Sequence, residues 1–100
     1  MILAIDFDGV IHNPHDRTKG YKLGKPVPGA PEALRRFKDR GDTLIVHTVW
    51  GDTPENKKTI SDWMIFFKVP CDYITNIKPK ADWYIDDHGI SFEGWDKIKI

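Results

Sequence analysis

The first strand-like segment of this chain ends in two carboxylates, and no other feature constrains the fold and function more. Residues 1–10 read MILAIDFDGV, an apolar run followed by Asp6, Asp8 and Gly9. On an extended backbone, side chains two residues apart point to the same side, so the two carboxylates lie close together. Two like charges held that close repel each other and need a cation or a proton to coexist. A solvated turn is the alternative interpretation, because Asp and Gly are also favoured in turns.

Two further apolar runs end in residues that can bind a phosphate or a metal ion. Residues 43–48 read TLIVHT and end in the hydroxyl of Thr48, and residues 81–87 read ADWYIDD and end in Asp86 and Asp87. In an open parallel sheet the carboxyl ends of the strands meet along one edge, where ligands bind. Three such endings in a short chain favour a functional site at that edge over three unrelated turns.

Helical patterns separate the strand-like segments. The sequence PVPGAP at 26–31 predicts the entry to a helix over 30–40, which Gly41 ends. Thr53 and Pro54 predict the start of a second helix, whose apolar face we interpret as core. A short third strand is expected within 69–74 and a fourth over 81–85, and residues 9–25 are expected to form a loop or flap. The apolar residues of the tail are expected to cover the sheet edge; they are Phe92, Trp95 and Ile98.

The alternation of strands and helices predicts the fold class. Strand–helix–strand units imply right-handed crossovers and a parallel sheet. With 100 residues the chain is long enough for one small domain. We therefore predict a single domain over residues 1–100, a small three-layer α/β/α sandwich with a parallel, Rossmann-like sheet.

The composition bears on the kind of partner and on the compartment that we expect. Lys and Arg number 15, as do Asp and Glu, so a net charge of zero provides no general attraction to nucleic acid or to a membrane. Cys71 is the only cysteine, so it forms no internal disulfide, and we interpret it as a packed small residue. No apolar stretch approaches the roughly 20 residues of a membrane span, and the start has no basic region typical of a signal peptide. We therefore expect a cytoplasmic protein without a membrane partner.

Taken together and in this order, the motifs resemble those of the haloacid dehalogenase-like (HAD) phosphohydrolase superfamily. D-x-D-G-V stands at 6–10, a strand ends in Thr48, a lysine precedes the last strand, and D-D stands at 86–87. The stretches VPGAPEALRRFKDRG and IKPKADWYIDD are similar to the first helix and the final motif of short members without a cap domain. The segments after Val10 and after Thr48 are too short for a cap, so we expect an open site.

The resemblance implies a magnesium-dependent phosphatase that forms an aspartyl-phosphate. In the family pattern Asp6 attacks phosphorus, and Asp8 protonates the leaving oxygen and then activates water. Thr48 and a lysine hold the phosphoryl oxygens. We favour Lys78, which precedes a proline, as this lysine; Lys80 is the open alternative and otherwise a solvated lysine.

The resemblance also implies a Mg²⁺ site made of hard oxygen ligands. The carboxylate of Asp6, the backbone carbonyl of Asp8 and the carboxylate of Asp86 bind the ion in the family pattern, and Asp87 holds a water bound to it. Magnesium prefers such ligands in octahedral geometry and keeps several waters. The predicted cofactor is therefore Mg²⁺.

The chain departs from the family pattern at two places that bear on the substrate. Similar short members often carry arginine shortly after the motif Thr and directly after D-D, where this chain has Trp50 and His88. His88 is still expected to line the substrate site. His12 and His15 lie in the predicted flap, where surface histidines are common, although they could reach a substrate. The substrate class stays open between a phosphorylated small molecule, a nucleic-acid end and a phosphoprotein, as does cover of the site by a second subunit in a homo-oligomer.

Two other functions compete with this interpretation. A metal- or phosphate-binding module of the same fold, weak or inactive as a catalyst, is compatible with the missing arginines, although Asp6 and Asp8 argue against it. A response-regulator receiver domain also surrounds magnesium with Asp, Thr and Lys, but its phosphorylated Asp ends a middle strand. No lone Asp ends a middle strand here, so we rank the receiver domain low.

Overall fold

The computed structural model describes residues 1–14, 23–86, 92–98 and 100. In these ranges two α-helices and four strands follow one another, with two short 3₁₀ helices at Val49–Asp52 and Trp95–Lys97. The strands and α-helices, in chain order, are β1 (Ile2–Asp6), α1 (Ala30–Asp39), β2 (Thr43–His47), α2 (Pro54–Phe66), β3 (Tyr73–Thr75) and β4 (Trp83–Ile85).

The four strands form one parallel sheet in the order β3-β2-β1-β4. Asp6 at the end of β1 is paired with His47 at the end of β2, and His47 is paired with Thr75 at the end of β3. On the other side of β1, Ile5 is paired with Ile85, the last residue of β4. The carboxyl ends of all four strands therefore lie at one edge, and the predicted small α/β fold with a parallel sheet is confirmed.

Both α-helices cover the same face of the sheet. Successive strand residues point to opposite faces, and the face that carries Leu3 and Ile5 is fully buried. The two helices are neighbours, since the Arg35 guanidinium on α1 donates a hydrogen bond to the carbonyl of Lys68 just after α2 (2.8 Å). The connections from β1 to β2 and from β2 to β3 step in the same direction across the sheet. Crossovers between parallel strands are right-handed as a rule, and two that step the same way place their helices on one side. The core between the helices and the sheet includes Leu44, Val46, Ile85, Ala33, Leu34, Phe37, Ile60, Trp63 and Met64.

The segment at residues 76–82 contacts the second face of the sheet. It connects β3 to β4, which lie at opposite edges. Tyr84 is paired with Ala4 and so lies on this second face. Its hydroxyl donates a hydrogen bond to the carbonyl of Pro79 (2.8 Å) and accepts one from the N–H of Ala81 (3.1 Å), which bonds the segment to the sheet. So short a connection has no room for a helix. The helical layer that the three-layer prediction placed on this face is therefore absent from the described part of the chain.

The helix boundaries follow the predicted signals. Thr53 caps α2, since its hydroxyl accepts a hydrogen bond from the N–H of Asn56 (3.1 Å), and Pro54 is the first helical residue. Gly29 precedes α1 with φ 89°, and a Cβ there would lie 3.2 Å from the Cβ of Trp95. Glycine is needed at this position because the backbone is left-handed and the contact is close.

The end of the chain packs into the core beside α1. Trp95 is buried, its indole N–H donates to the carbonyl of Val10 (3.0 Å), and its ring lies 6.1 Å from that of Phe37. Ile98 is buried, and Phe92 packs against the same core. Phe92, Trp95 and Ile98, which were predicted to cover the sheet edge, thus belong to the main core or pack against it. Of the helices in the described ranges, none has the length and apolar character needed to cross a bilayer.

Candidate active site

Asp6 lies at the carboxyl end of an inner strand, within electrostatic range of Asp86 and Asp8. The residue is half-buried. Burial raises its pKa, and the negative charges of Asp86 and Asp8 raise it further, while a hydrogen bond from the N–H of Phe7 and the charge of His47 oppose them. A cation near Asp6 would therefore favour its ionised form. The carboxylates of Asp6 and Asp86 are the hard oxygen donors that Mg²⁺ prefers.

Asp8 lies on a tight turn directly after β1. The carbonyl of Phe7 accepts hydrogen bonds from the N–H groups of Ile11 (2.9 Å) and His12 (2.8 Å), and Gly9 has φ 84°, a left-handed conformation that glycine adopts without strain. The side chain of Asp8 is 42% exposed. Water and other small molecules can therefore reach it from outside.

His12 is a buried residue of the site, so its assignment to a surface flap was wrong. Its side chain has no exposed surface, its ring stacks on Phe7 (5.1 Å between centroids), and it meets Trp63 edge-on (5.5 Å). Its Nδ1 lies 2.7 Å from Oδ1 of Asp8. The four-residue spacing within the D-x-D-G-V-I-H turn is the sequence signal that was missed. His15 lies outside the described residues.

Thr48 is positioned at the end of β2, as predicted. It is 5% exposed, and its backbone N–H donates to the carbonyl of Thr75 (2.9 Å). Its hydroxyl oxygen accepts a hydrogen bond from the N–H of Trp50 (3.3 Å), so the hydroxyl proton stays available for an acceptor at the sheet edge. Trp50 packs against the core.

His47 lies on the Asp6 side of the sheet. Its direct neighbour in the strand register is Asp6, and paired residues of neighbouring strands point to the same face. Its charge acts on Asp6 in the direction that lowers the pKa of the carboxyl, against the larger effect of burial. Only the strand register shows this neighbour, since 41 positions separate the two residues.

The two candidate lysines differ in their surroundings. The amine of Lys78 lies 4.7 Å from the ring centroid of Tyr84. Tyr84 is on the face of the sheet that also carries Asp6, because its β1 partner is Ala4, two residues before Asp6. The structure thus places Lys78 on the face that carries Asp6, with its amine against the ring of Tyr84, and its role stays a prediction. Lys78 and Lys80 are both exposed, so the ring contact of Lys78 and not its exposure distinguishes the two residues.

Only some residues of the predicted magnesium site are among those that the structure describes. Asp86 follows β4 and is half-buried, whereas Asp87 and His88 lie outside the described residues. In the ranges 1–14, 23–86, 92–98 and 100, no three His, Cys, Asp or Glu side chains form a group that could hold a metal ion. The ligand set from the resemblance used the backbone carbonyl of Asp8, which such a group of side chains does not include. The metal site and the roles of Asp87 and His88 therefore stay predictions.

Two other features lie apart from the candidate site. Burial raises the pKa of the Cys71 thiol to about 11, with Asp72 adding to the shift, so the thiol is protonated near neutral pH and is a poor nucleophile. An apolar cleft of about 910 Å³ lies between residues 23–32 and α2. Its lining contains none of the candidate residues at the ends of the strands.

Comparison with known proteins adds no assignment. No protein-family model matches the chain, and no curated protein matches it.

Proposed function

We propose that the protein is a magnesium-dependent phosphohydrolase of the HAD type, which cleaves a phosphate monoester through an aspartyl-phosphate on Asp6. One observation carries the proposal. Asp6 is half-buried at the carboxyl end of an inner parallel strand, and burial together with the charges of Asp86 and Asp8 raises its pKa. A cation at this position would favour the ionised carboxylate and let it approach an anionic phosphate.

The residues at the strand ends fit a Mg²⁺ ion by the chemistry of their donors. The Asp6 carboxylate, the Asp8 backbone carbonyl and the Asp86 carboxylate would hold the ion, with Asp87 beside them. When bound, the ion neutralises negative charge on the phosphoryl group and on Asp6.

Asp6 and Asp8 divide the chemistry between them. In the first step a carboxylate oxygen of Asp6 attacks phosphorus, the bond from phosphorus to the leaving oxygen breaks, and Asp8 donates a proton to that oxygen. In the second step Asp8 takes a proton from water, the water oxygen attacks phosphorus, and the bond from phosphorus to Asp6 breaks. Phosphate leaves and both carboxyl groups return to their starting states. The 42% exposure of Asp8 supports this role, because both the leaving group and water must reach it.

Thr48 and Lys78 are proposed to hold the phosphoryl oxygens. The backbone N–H of Thr48 is bonded to the carbonyl of Thr75, and its hydroxyl oxygen accepts from the N–H of Trp50, which leaves the hydroxyl proton to be donated to a phosphoryl oxygen. Lys78 supplies a positive charge from the segment that crosses the same face of the sheet. Donors preorganised toward developing charge are a main source of catalysis in phosphoryl transfer.

The substrate is proposed to be a phosphorylated small molecule, a nucleic-acid end or a phosphoprotein, bound at an open site that His88 helps to line. A second copy of the chain in a homo-oligomer would be one way to cover that site. We place the protein in the cytoplasm, in keeping with its single cysteine, Cys71.

Hydrolysis of p-nitrophenyl phosphate tests the proposal. We expect turnover in millimolar MgCl₂, none in EDTA, and none in Asp6→Asn, which keeps the size of the side chain but removes the nucleophile. Asp62→Asn is the matched control, since Asp62 is an exposed partner of Lys58 on α2, and it should hydrolyse the ester at the wild-type rate. Near-normal turnover in Asp6→Asn contradicts the assignment.

The alternative, a binding module without turnover, makes a different prediction in the same assay. Such a module would hydrolyse no ester yet still bind Mg²⁺ and inorganic phosphate in calorimetry. A screen of nucleotides, sugar phosphates, 3′- or 5′-phosphorylated oligonucleotides and phosphopeptides then identifies the substrate class of an active enzyme.

A further inference from the structure

The buried imidazole of His12 has both of its ring nitrogens engaged. Nδ1 lies 2.7 Å from Oδ1 of Asp8, and Nε2 lies 2.8 Å from the backbone nitrogen of Gly24. A backbone N–H can only donate, so Nε2 is the acceptor in the second bond. In the neutral ring the hydrogen then resides on Nδ1 and is donated to Asp8. Gly24 thus selects the tautomer that bonds the carboxyl.

The ring cannot turn away from Asp8 without breaking several contacts. One side of it stacks on Phe7 with an interplanar angle of 6°, and Trp63 meets it at 84°. The indole N–H of Trp63 donates to the carbonyl of Gly24 (2.8 Å), so the same glycine is bonded to both side chains. Helix α2 and the backbone at Gly24 therefore hold the imidazole against the Asp8 turn.

Asp8 has few other restraints on its side chain. It lies beyond the end of β1 on a turn and is 42% exposed, whereas His12 is fully buried. A half-exposed carboxyl on a turn populates several rotamers, and the bond to a fixed donor selects one. Because His12 engages Oδ1, the other oxygen, Oδ2, is left to exchange a proton with the leaving group or with water.

We propose that His12 is a positioning residue that holds Asp8 in the rotamer required for proton transfer. The inference rests on the proposed function, because it assigns a role to His12 only if Asp8 acts as the acid and base. The competing explanation is that His12 merely pins the turn at 7–12 and has no effect on the chemical step. The two explanations differ in how strongly the decrease in kcat/KM caused by replacing His12 depends on the leaving group.

Phenyl phosphate and 2,4-dinitrophenyl phosphate separate the two explanations. Both esters carry an aryl group, but phenolate is a poor leaving group that needs a proton from Asp8, whereas dinitrophenolate leaves without one. In wild-type enzyme with MgCl₂ the value of kcat/KM reports the step in which the leaving group departs. We expect His12→Phe, which keeps the stacking but lacks the donor, to lower kcat/KM about 10- to 100-fold on phenyl phosphate, within the roughly 10²- to 10⁴-fold range of general acid catalysis. On the dinitrophenyl ester the loss should stay below about threefold.

Two further variants keep the test decisive if His12→Phe does not fold. In His12→Asn the amide nitrogen lies near the position of Nδ1, so the donor to Asp8 is retained and activity on phenyl phosphate should be largely restored. In His12→Gln the amide lies near the position of Nε2, so the bond to Gly24 is retained but not the bond to Asp8. We expect His12→Gln to behave like His12→Phe.

The outcomes distinguish this inference from the proposed function. Equal losses on the two esters, no loss on either, or equal behaviour of His12→Asn and His12→Gln would overturn the positioning role while leaving the phosphohydrolase intact. A wild-type protein that hydrolyses neither ester would overturn both.

Discussion

The amine of Lys78 lies over the ring of Tyr84, 4.7 Å from its centroid, and the hydroxyl of the same tyrosine bonds the backbone on either side of residue 80. Cation–π contacts at exposed sites contribute about 0.5–1 kcal/mol, little enough for the amine to leave the ring when a phosphate arrives. Tyr84 therefore anchors the segment that carries Lys78 and keeps its amine on the Asp6 face of the sheet.

The first prediction separates Lys78 from Lys80. If Lys78 holds the phosphoryl group, Lys78→Ala removes a charge-assisted contact of about 2–4 kcal/mol and lowers kcat by about two to three orders of magnitude. Lys80→Ala is the matched control, because it removes an exposed lysine from the same segment and should change kcat by less than about twofold. Steady-state kinetics on p-nitrophenyl phosphate measure both. A larger loss in Lys80→Ala would transfer the role to that residue.

The second prediction concerns the anchor itself. Tyr84→Phe keeps the ring under Lys78 but removes the hydroxyl that bonds Pro79 and Ala81, so we expect the free energy of unfolding to fall by about 1–3 kcal/mol. Urea denaturation followed by circular dichroism measures the change. Tyr73→Phe on β3 is the control, because Tyr73 is 65% exposed. The free energy of unfolding of this variant should lie within about 0.5 kcal/mol of the wild-type value. Equal stability of the two variants would show that the hydroxyl does not anchor the segment.

The third prediction concerns the carboxylates at the strand ends. Burial and the charge of Asp86 disfavour ionised Asp6, so Mg²⁺ should stabilise the folded protein by mass action, raising Tm by about 5–10 °C at a tenfold excess over Kd. Asp86→Ala should lose most of this shift. In EDTA at neutral pH, Asp6→Asn should melt above wild type, because the amide removes the unfavourable charge.

Differential scanning calorimetry with and without Mg²⁺ measures these melting temperatures. Asp62→Asn, on the exposed surface of α2, should keep the wild-type response to Mg²⁺. A wild-type melting curve that does not respond to millimolar Mg²⁺ would contradict the site.

The fourth prediction is a pH dependence far from the site. Partial burial acts to raise the pKa of Asp72, but a hydrogen bond from the N–H of Leu44 (2.7 Å) and the amine of Lys38 (2.9 Å) outweigh it and lower the pKa. A carboxyl whose pKa is lower in the folded state stabilises the fold above its unfolded pKa, and this contribution is lost as the pH falls through the folded pKa. Asp72→Asn should therefore be about 1 kcal/mol less stable than wild type at pH 7.

The difference between Asp72→Asn and wild type should shrink as the pH falls below about 4. Urea denaturation at pH 7, 5 and 3 measures it. The exposed pair of Lys58 and Asp62 supplies the control, since Asp62→Asn should change stability little at any of these pH values. A difference for Asp72→Asn that is the same at pH 7 and pH 3 would show that its ionic contacts do not contribute.

Local patterns were sufficient to predict the elements that carry the site. The apolar runs before Asp6 and Thr48 predicted strands, and the cap at Thr53 predicted the start of α2, because these signals act between residues close in sequence. Alternation of strands and helices then predicted the parallel sheet, which brings Asp6, Thr48 and Asp86 to one edge. The roles of Asp87 and His88 stay predictions.

Tertiary structure alone decided which face each helix covers and what surrounds His12. Both helices lie on one face because the strand order makes both crossovers step the same way, and strand order is a property of the assembled sheet. His12 is buried against Asp8 because Gly24 and Trp63, 12 and 51 positions away in the sequence, close around its ring. The apolar run of residues 1–7 is enough to predict the strand that presents Asp6. The contact between His12 and Asp8 depends on packing between distant segments, which no local periodicity encodes.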